Sequence, residues 1–266
     1  MNILVCFNAV PKLNILSDTD WVVQEGLKID TSFVQKDLNP FDESALEIAL
    51  RFSDHSKSLG LPCSLTAVAV GEEHLDRYLK KLLALKFDNV VRIHSSEDLR
   101  FIPETIAHIL SNFISKQDCF DIIITGQQSG EGDNAMTPLL LSEYLHWPCI
   151  SQVVEIGPDT ERSLAVKSEI DGAILNQKVK TPLVLSIGNS PCSYLRNPTL
   201  KDIAEFGKRD IKIHTPKAFS HKTDKNIFNI KSLKKIDNSR QGIIIEGDTP
   251  EDKAKILYES YIKEKL

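Results

Sequence analysis

Short apolar runs alternate with segments of helical period through the first two-thirds of the chain. Residues 3–7, 65–70, 90–93 and 122–125 are nearly continuous in apolar side chains, which is typical of parallel strands that are covered on both faces. The helical periods are carried by three sets of residues: Phe41, Ala45, Ile48, Ala49 and Phe52; Leu75, Leu79, Leu82 and Leu83; and Ile106, Ile109, Leu110 and Phe113, with Pro103 expected to open the last helix. This order predicts an α/β fold with a mostly parallel, doubly wound sheet.

The pattern changes after residue 148. Residues 164–170 and 177–180 flank Asp171-Gly172, a turn signal that predicts an antiparallel hairpin appended to the sheet. Leu183–Ile187 follows as another buried strand. Apolar residues become sparse over 207–240, which predicts an extended arm. We therefore divide the chain into an α/β domain over 1–206 and a C-terminal arm over 207–266.

The arm is expected to end in a helix. Thr249 is a good N-cap and Pro250 a good first helical residue. An apolar stripe should pack on a partner, because so short a helix is marginal alone. The stripe comprises Ala254, Leu257, Tyr258, Tyr261 and Ile262.

Charge separates the arm from the rest of the chain. Residues 207–266 carry 14 Lys or Arg and 9 Asp or Glu, whereas residues 1–206 carry 18 and 28. A basic arm on an acidic domain indicates an acidic surface as its contact, and argues against nucleic acid as a partner. Hydrophobic residues make up 41% of the chain, without an apolar run of the ~20 residues that would insert in a membrane. The N-terminus is predicted to be a buried strand rather than a signal peptide.

Cysteine spacing points to a reducing, cytoplasmic setting. The five cysteines are scattered and form no CxxC motif, so buried or ordinary free thiols are the expected reading. The seven histidines show no HExxH motif. We therefore predict no metal site.

One loop carries candidate chemistry. The run 121–138, DIIITGQQSGEGDNAMTP, is a strand that stops at Gly126, then small and polar residues, then a helix start at Pro138. In doubly wound sheets, ligands bind at the carboxyl ends of strands, where loop amides and a helix N-terminus favour phosphate oxygens. The loop matches neither the P-loop nor GxGxxG. A nucleotide site and a plain Gly-rich connection both remain open from these residues alone.

A second stretch, NPFDE at 39–43, reads as a helix start. Asn39 is a good N-cap, Pro40 a good first residue, and Asp42 and Glu43 complement the helix dipole. Helix capping therefore explains most of the stretch. Phe41 is the exception, because an aromatic ring in a first helical turn is often only partly covered.

Together these stretches resemble the beta subunit of electron transfer flavoproteins. That family carries an NPF-type helix start, then a strand followed by a G-x-Q-x-x-D-x-D loop and a helix that ends in Trp-Pro. The counterparts here are NPFDE at 39–43, GQQSGEGDNAMT at 126–137 and HWP at 146–148. PTLKDI at 198–203 resembles the family's recognition loop, and EGDTPEDKAKIL at 246–257 resembles a C-terminal helix of some members. The resemblance covers almost the whole chain.

The resemblance implies an adenine-nucleotide-hydrolase-like fold and one half of a heterodimer. The alpha subunit would hold the redox-active FAD, and this chain's own pocket would hold AMP or, in electron-bifurcating members, a second FAD. Leu200 would anchor a partner dehydrogenase or other oxidoreductase, and the arm would wrap the alpha subunit. Phe41 would lie near the alpha subunit's flavin. By position, the cofactor pocket would comprise Cys6, Asn39, Pro40, Phe41, Asp42, Val70, Gly126, Gln127, Gln128, Ser129, Gly130, Glu131, Gly132, Asp133, Asn134, Ala135, Met136 and Thr137.

The chain also departs from the family pattern. Many AMP-binding members have an acid at the position of Gly132, whereas bifurcating members resemble this chain there. Met136 is a separate departure, because its side chain cannot donate a hydrogen bond to phosphate. Lys86 replaces a glycine that usually ends a helix, and a left-handed lysine would cost about 1 kcal/mol. The chain resembles a divergent branch.

Three activities follow as hypotheses. The first is an electron carrier subunit that makes no bonds by itself, with NADH-dependent flavin bifurcation as a variant of it. The second is an ATP-binding enzyme or nucleotide sensor of the same fold, although FNAVPKLN at 7–14 lacks the glycines of a phosphate loop near the first strand. The third is an interaction scaffold with a decayed pocket.

Overall fold

A computed structural model describes residues 1–25, 27–117, 120–130, 132–215, 230–234, 236 and 242–263 of the chain. It divides into two units, Met1–Asp20 with Asp30–Asn229, and Trp21–Ile29 with Ile230–Leu266. The first unit contains the sheet and the helices around it. Its elements account for the α/β fold.

Strands and helices alternate much as the apolar periods predict. The described strands are β1 Asn2–Cys6, β2 Ala9–Pro11, β3 Val23–Gln24, β4 Lys28–Ile29, β5 Lys36–Leu38, β6 Ser64–Gly71, β7 Asn89–His94, β8 Ile122–Gly126, β9 Cys149–Thr160, β10 Ser163–Ile170, β11 Ala173–Lys180, β12 Leu183–Ile187 and β13 Lys212–His214. The described α-helices are α1 Pro40–Ser58, α2 Asp76–Ala84, α3 Pro103–Gln117, α4 Thr137–Leu145, α5 Leu200–Phe206 and α6 Pro250–Leu257. As predicted, α3 begins at Pro103, and Pro138 lies in the first turn of α4.

Nine of the described strands form one sheet in the order β11-β10-β9-β12-β8-β1-β6-β7-β13. Every neighbouring pair from β9 to β13 is parallel, and β10 pairs antiparallel with both β9 and β11. From β1 the chain adds β6 and β7 on one side, then returns to place β8 on the other side of β1. The predicted doubly wound, mostly parallel sheet with an appended hairpin is confirmed.

Side chains alternate between two apolar layers along each central strand. On β1, Ile3 and Val5 join the layer that contains α1 and α2, whereas Leu4 and Cys6 join the layer that contains α3 and α4. Ile3, Leu4 and Val5 are fully buried, because helices cover both faces of the sheet. This two-sided covering is the reason why the central strands read as continuous apolar runs.

The helix α2 ends in the left-handed conformation. Lys86, the second residue after the helix, has a φ of 70°, and its N–H donates to the Leu83 carbonyl over 2.9 Å. A glycine adopts this conformation without steric strain, whereas a lysine does not. The predicted strain at Lys86 is therefore present.

The C-terminal part of the chain contains β13 and α6 in its described residues. β13 pairs with β7, so the sheet extends past residue 206. The Thr249 side chain accepts from the Asp252 N–H, which confirms the predicted cap of α6. Leu257, Tyr258, Tyr261 and Ile262 are exposed. Residues 216–229, 235, 237–241 and 264–266 of the predicted arm lie outside the described residues.

Candidate functional site

A cavity of about 430 Å³ opens at the carboxyl ends of β1, β6 and β8. These strands meet where the chain order reverses around β1, which is the usual ligand position in doubly wound sheets. The N-terminal turns of α1, α3 and α4 contribute Asn39, Pro103 and Thr137 to its wall. The volume is in the range of small-molecule sites.

Asp42 joins the ends of the two central strands. One carboxylate oxygen accepts from the Asn8 N–H after β1, and the other accepts from the Gly126 N–H of β8, each over 2.9 Å. Burial raises the pKa of Asp42 to about 6, although hydrogen bonds from Asn39, Asn8 and Gly126 oppose the rise. Asp42 thus holds the floor of the cavity together, with both oxygens engaged by backbone groups.

Gly126 is where the first turn of α1 comes closest to β8. A Cβ on Gly126 would lie 2.4 Å from Asp42 Oδ1 and 2.8 Å from both the Asp42 nitrogen and the Phe41 carbonyl carbon. Two of those atoms belong to the backbone and cannot rotate away. A glycine is therefore required at the point where the strand becomes the loop.

Asn39 does not cap α1 with its side chain, contrary to the capping interpretation. Its backbone has the extended dihedrals of an N-cap residue, but no cap hydrogen bond is formed by the side chain. The Asn39 Nδ2 instead donates over 2.8 Å to the Gln128 carbonyl in the loop after β8. Asn39 is buried and lines the cavity. This contact ties the start of α1 to the candidate loop.

The loop between β8 and α4 turns through left-handed residues. Gly132, Asp133 and Ala135 have φ values of 86°, 41° and 51°. The Met136 N–H donates to Asn134 Oδ1 over 3.0 Å, so the backbone of Met136 has a role although its side chain has no polar group. Of the described side chains, none caps the start of α4, and the first N–H groups of a helix favour anions.

The sequence motifs missed a second loop of the cavity wall. Residues 95–100, which follow β7, and residues 30–32 also line the cavity. Arg100 joins them, since its side chain donates over 3.1 Å to Thr31 Oγ1. This stretch has no glycine signal. Its position directly after a predicted strand, at the same sheet edge, was the clue that could have revealed it.

Charges of both signs face the cavity. Lys36, His74 and Arg100 line it together with acidic residues that include Glu72 and Asp98. Burial, followed by the nearby Lys36, lowers the pKa of His74. Burial also raises the pKa of the Cys6 thiol above its usual range, with the Asp42 charge adding to the effect, so Cys6 is an uncharged part of the wall.

The structure brings most predicted pocket residues to this cavity. The residues that line it are Cys6, Asn39, Asp42, Val70, Gly126, Gln127, Gln128, Ser129, Asn134, Ala135, Met136 and Thr137. Pro40, Phe41, Gly130, Gly132 and Asp133 are described but lie outside its lining. Glu131 lies outside the described residues. Membership of the wall does not show what binds, so the cofactor roles remain predictions.

Leu200 lies away from the cavity, at the start of α5. It is 86% exposed, and Thr199 caps the helix by accepting from the Asp202 N–H. The preceding segment is fixed to α1, because Glu47 Oε2 accepts from the Arg196 N–H over 3.1 Å. A large apolar side chain is thereby presented to solvent on a fixed support.

The cavity fits an adenine nucleotide by the chemistry of its wall. Asn39 Oδ1 and Thr125 Oγ1 are buried and have no hydrogen-bond partner among the described residues. Buried polar atoms are normally paired, and the hydroxyl and amino groups of a nucleotide can pair them. Backbone N–H groups of the loop and of the α4 start suit phosphate oxygens.

The fold and the cavity define a doubly wound α/β protein. Its ligand-sized site lies where the strand order reverses around β1. The family model for the electron transfer flavoprotein domain matches residues 26–218. The chain belongs to the electron transfer flavoprotein family, in a divergent branch of its beta subunits.

Relatives span most or all of the chain. YgcR of Escherichia coli strain K12, whose name assigns it provisionally as an electron transfer flavoprotein subunit, is 29% identical over 100% of this chain and 99% of its own length. The electron transfer flavoprotein subunit beta of Dictyostelium discoideum is 28% identical over 75% of this chain and 76% of its own. That of Bacillus subtilis strain 168 is 27% identical over 75% and 77%. No helix among the described residues is long and apolar enough to cross a membrane.

Proposed function

We propose that the chain is the beta subunit of a heterodimeric electron transfer flavoprotein and that it binds an adenine nucleotide. The observation that carries this proposal is the cavity at the ends of β1 and β8. Its wall contains buried oxygens of Asn39 and Thr125 that have no hydrogen-bond partner in the part of the chain that the structure describes. Membership of the family supports the electron-transfer role.

The protein's own residues have structural roles in this function. Asp42 fixes the ends of two strands and Gly126 admits α1. The start of α4, which no described side chain caps, would offer N–H groups to the phosphate. A bound FAD supplies one- and two-electron chemistry, while the protein supplies placement and electrostatics. The chain therefore acts as an electron carrier subunit rather than as a stand-alone enzyme.

The heterodimer has an alpha subunit as the second member and a separate oxidoreductase as the electron partner. Exposed Leu200 supports docking of that oxidoreductase, because a lone apolar side chain on a fixed helix start suits a small pocket. The exposed Leu257, Tyr258 and Tyr261 of the C-terminal segment support a contact with the alpha subunit. The four described cysteines are free thiols, which supports a reducing, cytoplasmic location.

Co-expression with an electron transfer flavoprotein alpha subunit tests the proposal. The purified complex is heat-denatured, and the released flavin and adenylate are counted per dimer. One FAD with one AMP indicates a structural AMP in this chain, whereas two FAD indicate the bifurcating form, which is then assayed for reduction by NADH. A complex without adenylate beyond the alpha subunit's own FAD would overturn the proposal.

The structure gives the ATP-binding enzyme less support. Residues 9–11 after β1 form β2, which pairs antiparallel with β5, instead of a glycine-rich phosphate loop. Measuring ATP hydrolysis by the purified complex is a direct check, and we expect none above the buffer control.

A further inference from the structure

The rim of the cavity is formed by three loops that meet at Arg100. Residues 95–100 and residues 30–32 both line the cavity, and most of them are exposed at its outer edge. Gly132, in the loop after β8, lies against the main chain of Arg100, since a Cβ on Gly132 would be 3.2 Å from the Arg100 carbonyl oxygen. By contrast, Asp42 at the floor is buried. Arg100 is therefore the residue at which the three rim segments are joined.

The Arg100 guanidinium is held in one orientation by Asp98. Nε donates to Oδ1 of that carboxylate and Nη2 donates to Oδ2, each over 2.8 Å. Such a two-bond pairing fixes the plane of the guanidinium. The third nitrogen, Nη1, donates to Thr31 Oγ1 over 3.1 Å. The Arg100 charge is thus balanced by a carboxylate of its own loop, while Nη1 reaches across the rim to the 30–32 loop.

Thr31 is held in place on the other side of this contact. Its carbonyl accepts from the Val34 N–H over 3.0 Å, and Val34 is buried, so the turn that carries Thr31 is anchored by a buried side chain. Thr31 is itself half-buried and lies 69 residues from Arg100 along the chain. One hydrogen bond therefore joins two loops that the chain does not connect locally.

An arginine in the wall of a nucleotide cavity has two obvious roles, direct contact with phosphate or closure of the rim. The two-bond pairing with Asp98 favours closure, because a carboxylate beside the guanidinium repels phosphate oxygens. We propose that Arg100 is a positioning residue that holds the 30–32 loop at the rim through Thr31 and so slows exchange of the bound nucleotide. This inference rests on the proposed function, but it concerns access to the cavity and so holds for AMP and FAD alike.

Loss of the rim contact is expected to speed exchange without changing affinity. Thr31→Val removes the acceptor with little change of shape, so the rim opens more often. Opening a rim speeds the entry and the departure of a ligand by the same factor, which leaves the Kd unchanged. In the complex with the alpha subunit, departure is timed as loss of the resident adenylate during dialysis, and entry as its recovery when the same nucleotide is returned. Both rates should rise about 3- to 10-fold in Thr31→Val.

Further variants separate closure of the rim from direct contact with the ligand. Thr31→Ser keeps the hydroxyl and should exchange within about 2-fold of the wild type. Arg100→Met should match Thr31→Val, and the double variant should be no faster than either, because all three lose the same contact. A lower affinity in Arg100→Met with an unchanged entry rate would indicate direct phosphate contact and overturn the inference, as would equal exchange in Thr31→Val and Thr31→Ser. A complex without adenylate beyond the alpha subunit's own FAD would instead overturn the proposed function.

Discussion

Replacing Gly126 with alanine tests how closely α1 must approach the end of β8. The new Cβ would lie 2.4 Å from Asp42 Oδ1, whereas ordinary contacts begin at 3.4 Å. The first turn of α1 would have to retreat by the difference, about 1 Å, because two of the three nearest atoms are backbone atoms. That retreat would lengthen the hydrogen bond from the Gly126 N–H to Asp42, which is now 2.9 Å.

Two effects set the size of the loss. Overpacking a buried site costs about 1–3 kcal/mol, and leaving a buried N–H unpaired costs about 1–3 kcal/mol. We expect the free energy of unfolding to fall by about 2–6 kcal/mol in Gly126→Ala. Urea unfolding of the purified complex measures this value, and the released adenylate reports whether the cavity survives.

Gly130→Ala is the matched control in the same loop. A Cβ at Gly130 would meet no atom within 4 Å, so this variant should stay within about 0.5 kcal/mol of the wild type. Equal stability and equal adenylate content in Gly126→Ala and Gly130→Ala would refute the claim that this close approach shapes the site.

Three further changes test separate parts of the structure. Because the pKa of Asp42 is raised from 3.8 to about 6, the folded state holds a proton in this window that the unfolded state releases. As the pH rises from 3.8 to 6, the unfolding free energy of the wild type should thus fall by roughly 3 kcal/mol relative to that of Asp42→Asn, as measured by urea unfolding. Parallel plots of unfolding free energy against pH for the two proteins would contradict this. Lys86→Gly should gain about 0.5–1 kcal/mol in thermal unfolding by relieving the left-handed strain, whereas Lys86→Ala should not; equal values would argue against strain. Glu47→Gln, which weakens the ion pair between buried Glu47 and Arg196, should lower the free energy of unfolding in urea by about 2–4 kcal/mol. Asp54→Asn, at the exposed partner of the same arginine, should lower it by less than about 1 kcal/mol. A larger loss in Asp54→Asn than in Glu47→Gln would contradict the claim that burial makes the Glu47 pair the stronger one.

The central strands could be predicted because their burial is simple. β1, β6, β7 and β8 lie between two helical layers, so their apolar runs carry the signal by themselves. β9 was missed for a physical reason. Its 12 residues contain Gly157-Pro158, which reads as a turn, and it changes from parallel pairing with β12 to antiparallel pairing with β10.

β13 could not be recognised from side chains. It has three residues, and Ile213 is 58% exposed. Its place in the sheet comes from backbone pairing with β7, which leaves no apolar pattern. Short strands at the edge of a sheet give the weakest sequence signal.

The cavity was predicted in part. The loop after β8 has a glycine with a steric purpose, Gly126, and so could be recognised. Thr31 and Arg100 reach the same wall through folding alone, and no local motif marks them. Asn39 was assigned by its local preference as a helix cap, but the tertiary contact with Gln128 determines its side-chain position.

Electron density from a crystal of the complex with the alpha subunit tests the central claim most directly. We predict an adenylate in the cavity between the ends of β1 and β8, with its phosphate on the loop before α4. A cavity that contains only solvent or repacked side chains, with every adenine of the complex bound elsewhere, would contradict it.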